Sequence, residues 1–358
     1  MKGTVWMEKH NLIKLRTMCG YIDNEHHVWI PAYDCNTLFE GNIGDSLYRA
    51  VCINGQDDAF VNVRKIIKTE NALYLFSPYN CSVSIYDINK ASLDKWKFYH
   101  EKYTQISEIL YDTNICWIIP VSFEHPILRI DLENRTVQEL SLDIKNDNFT
   151  RGILTDDCIL IANREKGNPI ISQIFVEDGQ NYNRIVKGIN KVECFFADSH
   201  FVWILGLNCD DETKIFKVNI KDWEIVDIYN CKFEIRKDGN ELDYIHMQKY
   251  EDKFILISSG EQPCRIIDFE KEYEHEIAEN HKIERAKTVF ESQIVGNELY
   301  MYVKNLNCVA KIDIEKELYS RIDLLGERGV DIINRKKFYS ESKYELLEDY
   351  LEVVSEDM

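Results

Sequence analysis

The sequence predicts an all-β chain built from seven repeats of four short strands. Three observations carry that expectation: a period near 45 residues, period-two apolar runs inside each repeat, and a turn signal between the first two runs. The large apolar residue of the second run recurs as Trp29, Tyr74, Trp117, Leu160, Trp203, Ile255 and Tyr300, at spacings of 45, 43, 43, 43, 52 and 45. A landmark in the third run recurs as Phe39, Asp87, Asp131, Phe175, Asn219, Asp268 and Asp313, at spacings of 48, 44, 44, 44, 49 and 45. Two landmarks sharing one period are hard to obtain by chance. With 45% hydrophobic and 12% aromatic residues, the chain can bury a large core.

Within each unit the turn between the first and second runs uses residues that favour tight reversals: Asp23-Asn24, Glu70-Asn71, Asp112-Thr113-Asn114, Asp156-Asp157, Asp198-Ser199, Glu251-Asp252 and Gly296-Asn297. Asn, Asp and Gly tolerate left-handed backbone angles or bond their own backbone, so seven hairpins are expected. A third run follows, such as Ser82 to Ile88, and a weaker fourth, such as Lys95 to Tyr99. Four strands per unit is the signature of a propeller blade, and seven blades stacked around an axis cover the two faces that one small sheet cannot bury alone. The expected architecture is a single β-propeller over residues 1–324. Its blades fall at about 12–57, 58–101, 102–144, 145–188, 189–240, 241–284 and 285–324, with residues 3–7 as a possible closing strand. Residues 325–358 form a C-terminal extension. There Tyr344, Leu347, Leu351 and Val354 after Ser340 predict a short amphipathic helix over about 341–354.

The bulky anchors are expected between neighbouring blades. Asp87, Asp131, Asp268 and Asp313 are expected to start loops by accepting local backbone amides.

The triplets Ile130-Asp131-Leu132 and Ile312-Asp313-Ile314, each following an apolar hairpin with an aromatic anchor, resemble the β-propeller superfamily, most closely bacterial kelch-like and related seven-bladed propellers. The resemblance spans residues 12 to 324. The tandem-glycine kelch signature and the recurring Gly-His and Trp-Asp pairs of WD repeats are absent, so the resemblance implies architecture and transfers no functional residue.

Charge narrows the function classes. With 43 basic and 62 acidic residues the net charge is −19, which repels nucleic acid and anionic lipid surfaces. The densest basic run is only Arg335-Lys336-Lys337, and no uncharged run is long enough to span a membrane. Eleven cysteines without a CxxC pair read as buried core residues of a reducing compartment, and Met1 to Leu15 lacks an apolar signal core. A cytoplasmic monomer is the expectation.

No GxxxxGK, GxGxxG, GxSxG or HExxH motif occurs, and no metal-ligand register or cofactor is expected. Adjacent His26-His27 would point to opposite faces of a strand and cannot chelate one metal together. What remains is the central channel. The polar residues expected on or near the innermost strands are Arg16, Arg64, Glu108, Arg151, Glu193, His246 and Glu291. Around residues 232 to 243 about eight extra residues with a Lys-Asp-Gly-Asn turn predict a protruding hairpin, whose partner-binding candidates are Arg236, Lys237, Asp238 and Asn240. The leading expectation is a non-catalytic interaction or scaffold protein, binding a protein partner or a small polar ligand at its loop face or channel mouth. The alternative is a metal-assisted hydrolase, a lactonase-like enzyme or a lyase using channel carboxylates with His246.

Overall fold

The computed structural model describes residues 12–327 apart from 16, 33–35, 54–59, 61–62, 78–80, 100–105, 121–124, 141–151, 164–165, 168, 178, 238–242, 259–261, 278–288 and 304–307. The expected strand at residues 3–7 and the helix at 341–354 lie outside the described residues, and among the described residues no helix occurs.

Seven four-stranded antiparallel sheets form, each with its strands in chain order. Their first strands are Tyr21–Ile22, Lys65–Lys68, Ile106–Asp112, Ile153–Leu154, Ile189–Ala197, Tyr244–Tyr250 and Val289–Val295. First strands of neighbouring sheets touch one another around most of the ring, which makes them the inner strands of seven blades around a channel. The second strands are His27–Ala32, Ala72–Ser77, Ile115–Pro120, Cys158–Ala162, Phe201–Asn208, Lys253–Ser258 and Glu298–Val303. Each period-marking anchor, from Trp29 to Tyr300, is the third residue of its second strand.

The core is divided as the ring requires. Seven apolar clusters occupy the seven interfaces between neighbouring blades, and each anchor packs toward the next blade: Trp29 between blades 1 and 2, Trp117 between 3 and 4, Trp203 between 5 and 6, Tyr300 between 7 and 1. Apolar area on both faces of every blade is thereby removed from water, and truncating one such aromatic costs about 3–5 kcal/mol. Each blade interface is thus a small core of its own.

The third-strand aspartates do what their position predicts. Asp87 accepts the Asn89 and Lys90 amides at 3.0 and 2.9 Å, and Asp313 accepts the Lys316 amide at 3.0 Å. Asp131 and Asp268 do the same for Asn134 and Lys271. Four residues after each landmark the chain enters the left-handed region, at Ala91, Arg135, Gly179, Trp223, Glu272 and Glu317. Blade 1 departs from this pattern: Phe39 is the third residue of Thr37–Asn42, so its structural counterpart of Asp131 is Asn42.

The ring closes through a strand pair at its seam. Leu12–Lys14 runs antiparallel to Leu325–Glu327, and the Tyr48 amide of blade 1 donates to the Leu325 carbonyl at 2.8 Å. The chain following blade 7 is thereby bonded to blade 1. Beneath it Leu15, Ile22, Phe39 and Tyr48 pack on Tyr300, Tyr302 and Leu324.

Residues 232–237, at the start of the insertion, form no strand, and Phe233 and Ile235 are buried in the cluster between blades 5 and 6. This part of the insertion lies on the core instead of projecting as a hairpin, because its alternate side chains are apolar and find a cluster to join.

Candidate functional site in the central channel

The inner strands share one register. Lys65, Glu108, His246 and Glu291 stand opposite Phe76, Ile119, Ile257 and Tyr302, each the fifth residue of its second strand. They therefore form one level of the channel, and the fifth blade contributes Cys194 opposite Leu205. In blades 3, 5, 6 and 7 the residue just before this level is an extra one, inserted as a β-bulge between Ile106 and Glu108, Val192 and Cys194, Tyr244 and His246, and Val289 and Glu291. A bulge bends its strand and re-aims the side chain that follows. In blades 3, 6 and 7 this device brings Glu108, His246 and Glu291 to one cavity.

Lys65, Glu108, His246 and Glu291 line one cavity of about 370 Å³, whereas Cys194 is buried in the cluster between blades 5 and 6. Along the strands it has three zones. The charged level comes first. Next comes an apolar belt that includes Ile67, Leu110 and Leu154. Three residues beyond the charged level, about 10 Å along a strand, lie Lys68 and Tyr111, and Tyr21 also faces the cavity. Burial, followed by Asp23, pushes the Tyr21 phenol up, and burial does the same to Tyr111, so both are neutral hydroxyls at ordinary pH.

Polar contacts fix the walls. Lys65 Nζ pairs with Glu291 at 2.8 Å, with 27% and 12% of their side chains exposed. His246 Nδ1 and Ser292 Oγ are 3.1 Å apart, and Gln248 Nε2 donates to the same Oγ at 2.9 Å. Gln293 bonds both backbone groups of Ile22 with its side-chain amide, which extends the two-residue inner strand of blade 1 and ties it to blade 7.

Of the channel residues expected from sequence, Glu108, His246 and Glu291 meet in this cavity. Arg16 and Arg151 lie outside the described residues. Arg64 stands one residue before the level, its amide donating to Phe76 O at 2.8 Å, and it does not line the cavity. Glu193 is the bulge residue of blade 5 and is wholly buried. It pairs with Lys191 at 3.1 Å and accepts the Tyr244 amide at 3.1 Å, and burial raises its carboxyl above the usual range. It clasps blade 5 to blade 6. Among the loop candidates, Arg236 belongs to the same clasp, its Nε 3.1 Å from Asp243 and its carbonyl accepting from Lys191 Nζ at 2.9 Å. Lys237 is exposed, and Asp238 and Asn240 lie outside the described residues.

Sequence reasoning missed Lys65, Lys68 and Ser292. Lys65 carried a usable signal, because it lies 43 residues before Glu108, the spacing that also relates the anchors Tyr74 and Trp117. Ser292 carried none.

The chemistry available is binding by both signs of charge beside an apolar wall, together with a hydroxyl held against an imidazole. No group of three or more His, Cys, Asp or Glu residues arranged to hold a metal occurs among the described residues. Nor is any helix of the described residues long and apolar enough to cross a membrane.

No protein-family model and no curated protein matches the chain. Solved structures do match in shape. The chain is similar to the WD40 repeats of RRP9 at 10% identity, covering 83% of this chain and 91% of that one with a TM-score of 0.55. It is similar to a chain of the mitotic checkpoint complex at 9% identity, covering 85% and 94% with a TM-score of 0.55. A puromycin-hydrolysing peptidase of Mycobacterium tuberculosis matches at 13% identity and a TM-score of 0.59, covering 86% of this chain and 52% of the peptidase. These likenesses carry the fold alone, and together with the sheet order they establish that the chain is a seven-bladed β-propeller.

Proposed function

We propose that this propeller is a binding protein whose channel cavity holds a small polar ligand, while its loop face is available to a protein partner. The single observation that carries the reading is the convergence of Lys65, Glu108, His246 and Glu291 on one level of a 370 Å³ cavity, three of them placed by bulges. A cavity near the lower end of the range for ligand sites suits a small molecule. The acidic surface and the absence of disulfides among the described cysteines accord with a cytoplasmic setting, which belongs to the same proposal.

The test is a melting-temperature screen of a metabolite panel on the full chain and on Leu154→Trp, a variant that fills the apolar belt. The reading predicts at least one small polar compound that raises the wild-type melting temperature and leaves the variant unmoved. Equal shifts in both proteins, or none in either, would contradict it.

A second reading is hydrolysis, favoured by the 3.1 Å contact between His246 and Ser292, which has the geometry of a base beside a nucleophile. It predicts turnover of p-nitrophenyl esters that Ser292→Ala abolishes. The binding reading predicts no turnover above the variant's.

A further inference from the structure

The walls of the cavity restrict what can fill it. Its charged level carries both signs, Lys65 against Glu108 and Glu291, with the His246 imidazole beside them as a hydrogen-bonding group. A simple anion entering here meets two carboxylates, and a simple cation meets an ammonium. A neutral apolar molecule would strip water from all four groups with nothing in return. A molecule carrying both charges close together meets neither objection. It offers a carboxylate to Lys65 and the imidazole, and an ammonium to the two glutamates.

The rest of the molecule is restricted too. One to three residues along the strands from that level the wall becomes Ile109, Leu110 and Leu154, with the Tyr111 ring at the far end. The distance from the charged level to Tyr111 is about 10 Å by strand rise. A ligand that fits is therefore a compact charge pair with an apolar body of a few carbons to one ring.

We propose that the channel cavity binds a zwitterionic α-amino acid with an apolar side chain, its ammonium and carboxylate at the Lys65–Glu291 level and its side chain on the apolar belt. This inference rests on the reading of the cavity as a ligand site. The Lys65–Glu291 ion pair keeps both charges at this level before binding, where a ligand carboxylate reaches Lys65 and a ligand ammonium reaches Glu291 from the cavity side.

The experiment is calorimetric titration of the full chain with L-phenylalanine and L-leucine, and with L-phenylalaninamide, N-acetyl-L-phenylalanine, 3-phenylpropanoate and phenethylamine, which keep the body and remove one charge. The expected result is binding of at least one free amino acid, with every single-charge analogue at least tenfold weaker. Glu291→Gln should weaken the amino acid at least tenfold and leave 3-phenylpropanoate no weaker. The analogue series needs no variant, so misfolding of Glu291→Gln leaves the test intact. Equal affinity of amino acid and single-charge analogues would overturn the zwitterion while the cavity stays a ligand site. No binding by any of these six compounds, beside a Leu154-dependent melting shift from some other metabolite, would overturn it in the same way. No shift from any compound would remove the underlying site reading as well.

Discussion

Lys65 of blade 2 and Glu291 of blade 7 form an ion pair at 2.8 Å, so two blades that are not neighbours in the ring are joined past the short inner strand of blade 1. That strand has only two residues, Tyr21–Ile22, and leaves room for the two long side chains to meet. The pair lies between the exposed and buried limits, where coupling is of order 1–2 kcal/mol. A double-mutant cycle of Lys65→Met and Glu291→Gln, read by urea denaturation, should give a coupling of about that size. Strict additivity would show that the pair contributes nothing to closing the ring.

Gly206 sits opposite the bulge that carries Glu193, and an added Cβ would overlap the carbonyl oxygen of Lys191. Because the obstacle is backbone, it cannot swing aside as a side chain would. Gly206→Ala should cost about 2–4 kcal/mol in urea denaturation, more than an ordinary overpacking substitution. It should also disturb the Lys191–Glu193 clasp between blades 5 and 6.

The turns between third and fourth strands place a non-glycine residue in the left-handed region in most blades, as at Ala91 with φ of 50°, whereas blade 4 uses Gly179 with φ of 73°. An L-residue there is strained by about 1–2 kcal/mol, and glycine relieves this at an entropic penalty of about 0.5–1 kcal/mol. Ala91→Gly should therefore raise stability by about 0.5–1 kcal/mol, and Gly179→Ala should lower it by at least as much, both read from urea midpoints.

Acid should loosen the same turns. Hydrogen bonds from the Lys90, Lys271 and Lys316 side chains hold Asp87, Asp268 and Asp313 below the usual carboxylate value of 3.8, and the Asn134 backbone amide does so for Asp131. Their folded-state pKa values lie below the unfolded value. Their stabilisation is complete above the unfolded value and is lost as pH falls through the depressed folded one. Asparagine keeps an acceptor oxygen for the turn amide but does not titrate. The fourfold Asp→Asn variant should show a shallower fall of urea midpoint from about pH 5 to about pH 2 than the wild type.

The architecture was legible because it is repeated: a period of 43 to 45 residues, copied in most units and anchored by aromatics, survives local irregularity. The site was legible only in part, for a physical reason. Each bulge adds one residue to an inner strand, and in a strand a one-residue slip moves a side chain to the other face. Counting by alternation found Glu108, His246 and Glu291, took Glu193 instead of Cys194 where a bulge intervenes, and took Arg64 instead of Lys65 in blade 2, whose inner strand has no bulge. In both cases the rejected neighbour keeps the 43-residue spacing, while a conspicuous charge sits beside it. In the 232–243 insertion, burial of Phe233 and Ile235 was not legible because it depends on a cluster contributed by distant strands, and the Asp-Gly-Asn part of the turn lies outside the described residues.

The central claim is that the level of Lys65, Glu108, His246 and Glu291 holds a zwitterionic apolar amino acid such as L-phenylalanine. The most direct measurement is a crystal structure of the full chain grown in L-phenylalanine. The account predicts one molecule in the channel, its charges against Lys65 and Glu291 and its ring on Leu110 and Leu154. Only water in the channel, with the amino acid absent or confined to the outer surface, would contradict it.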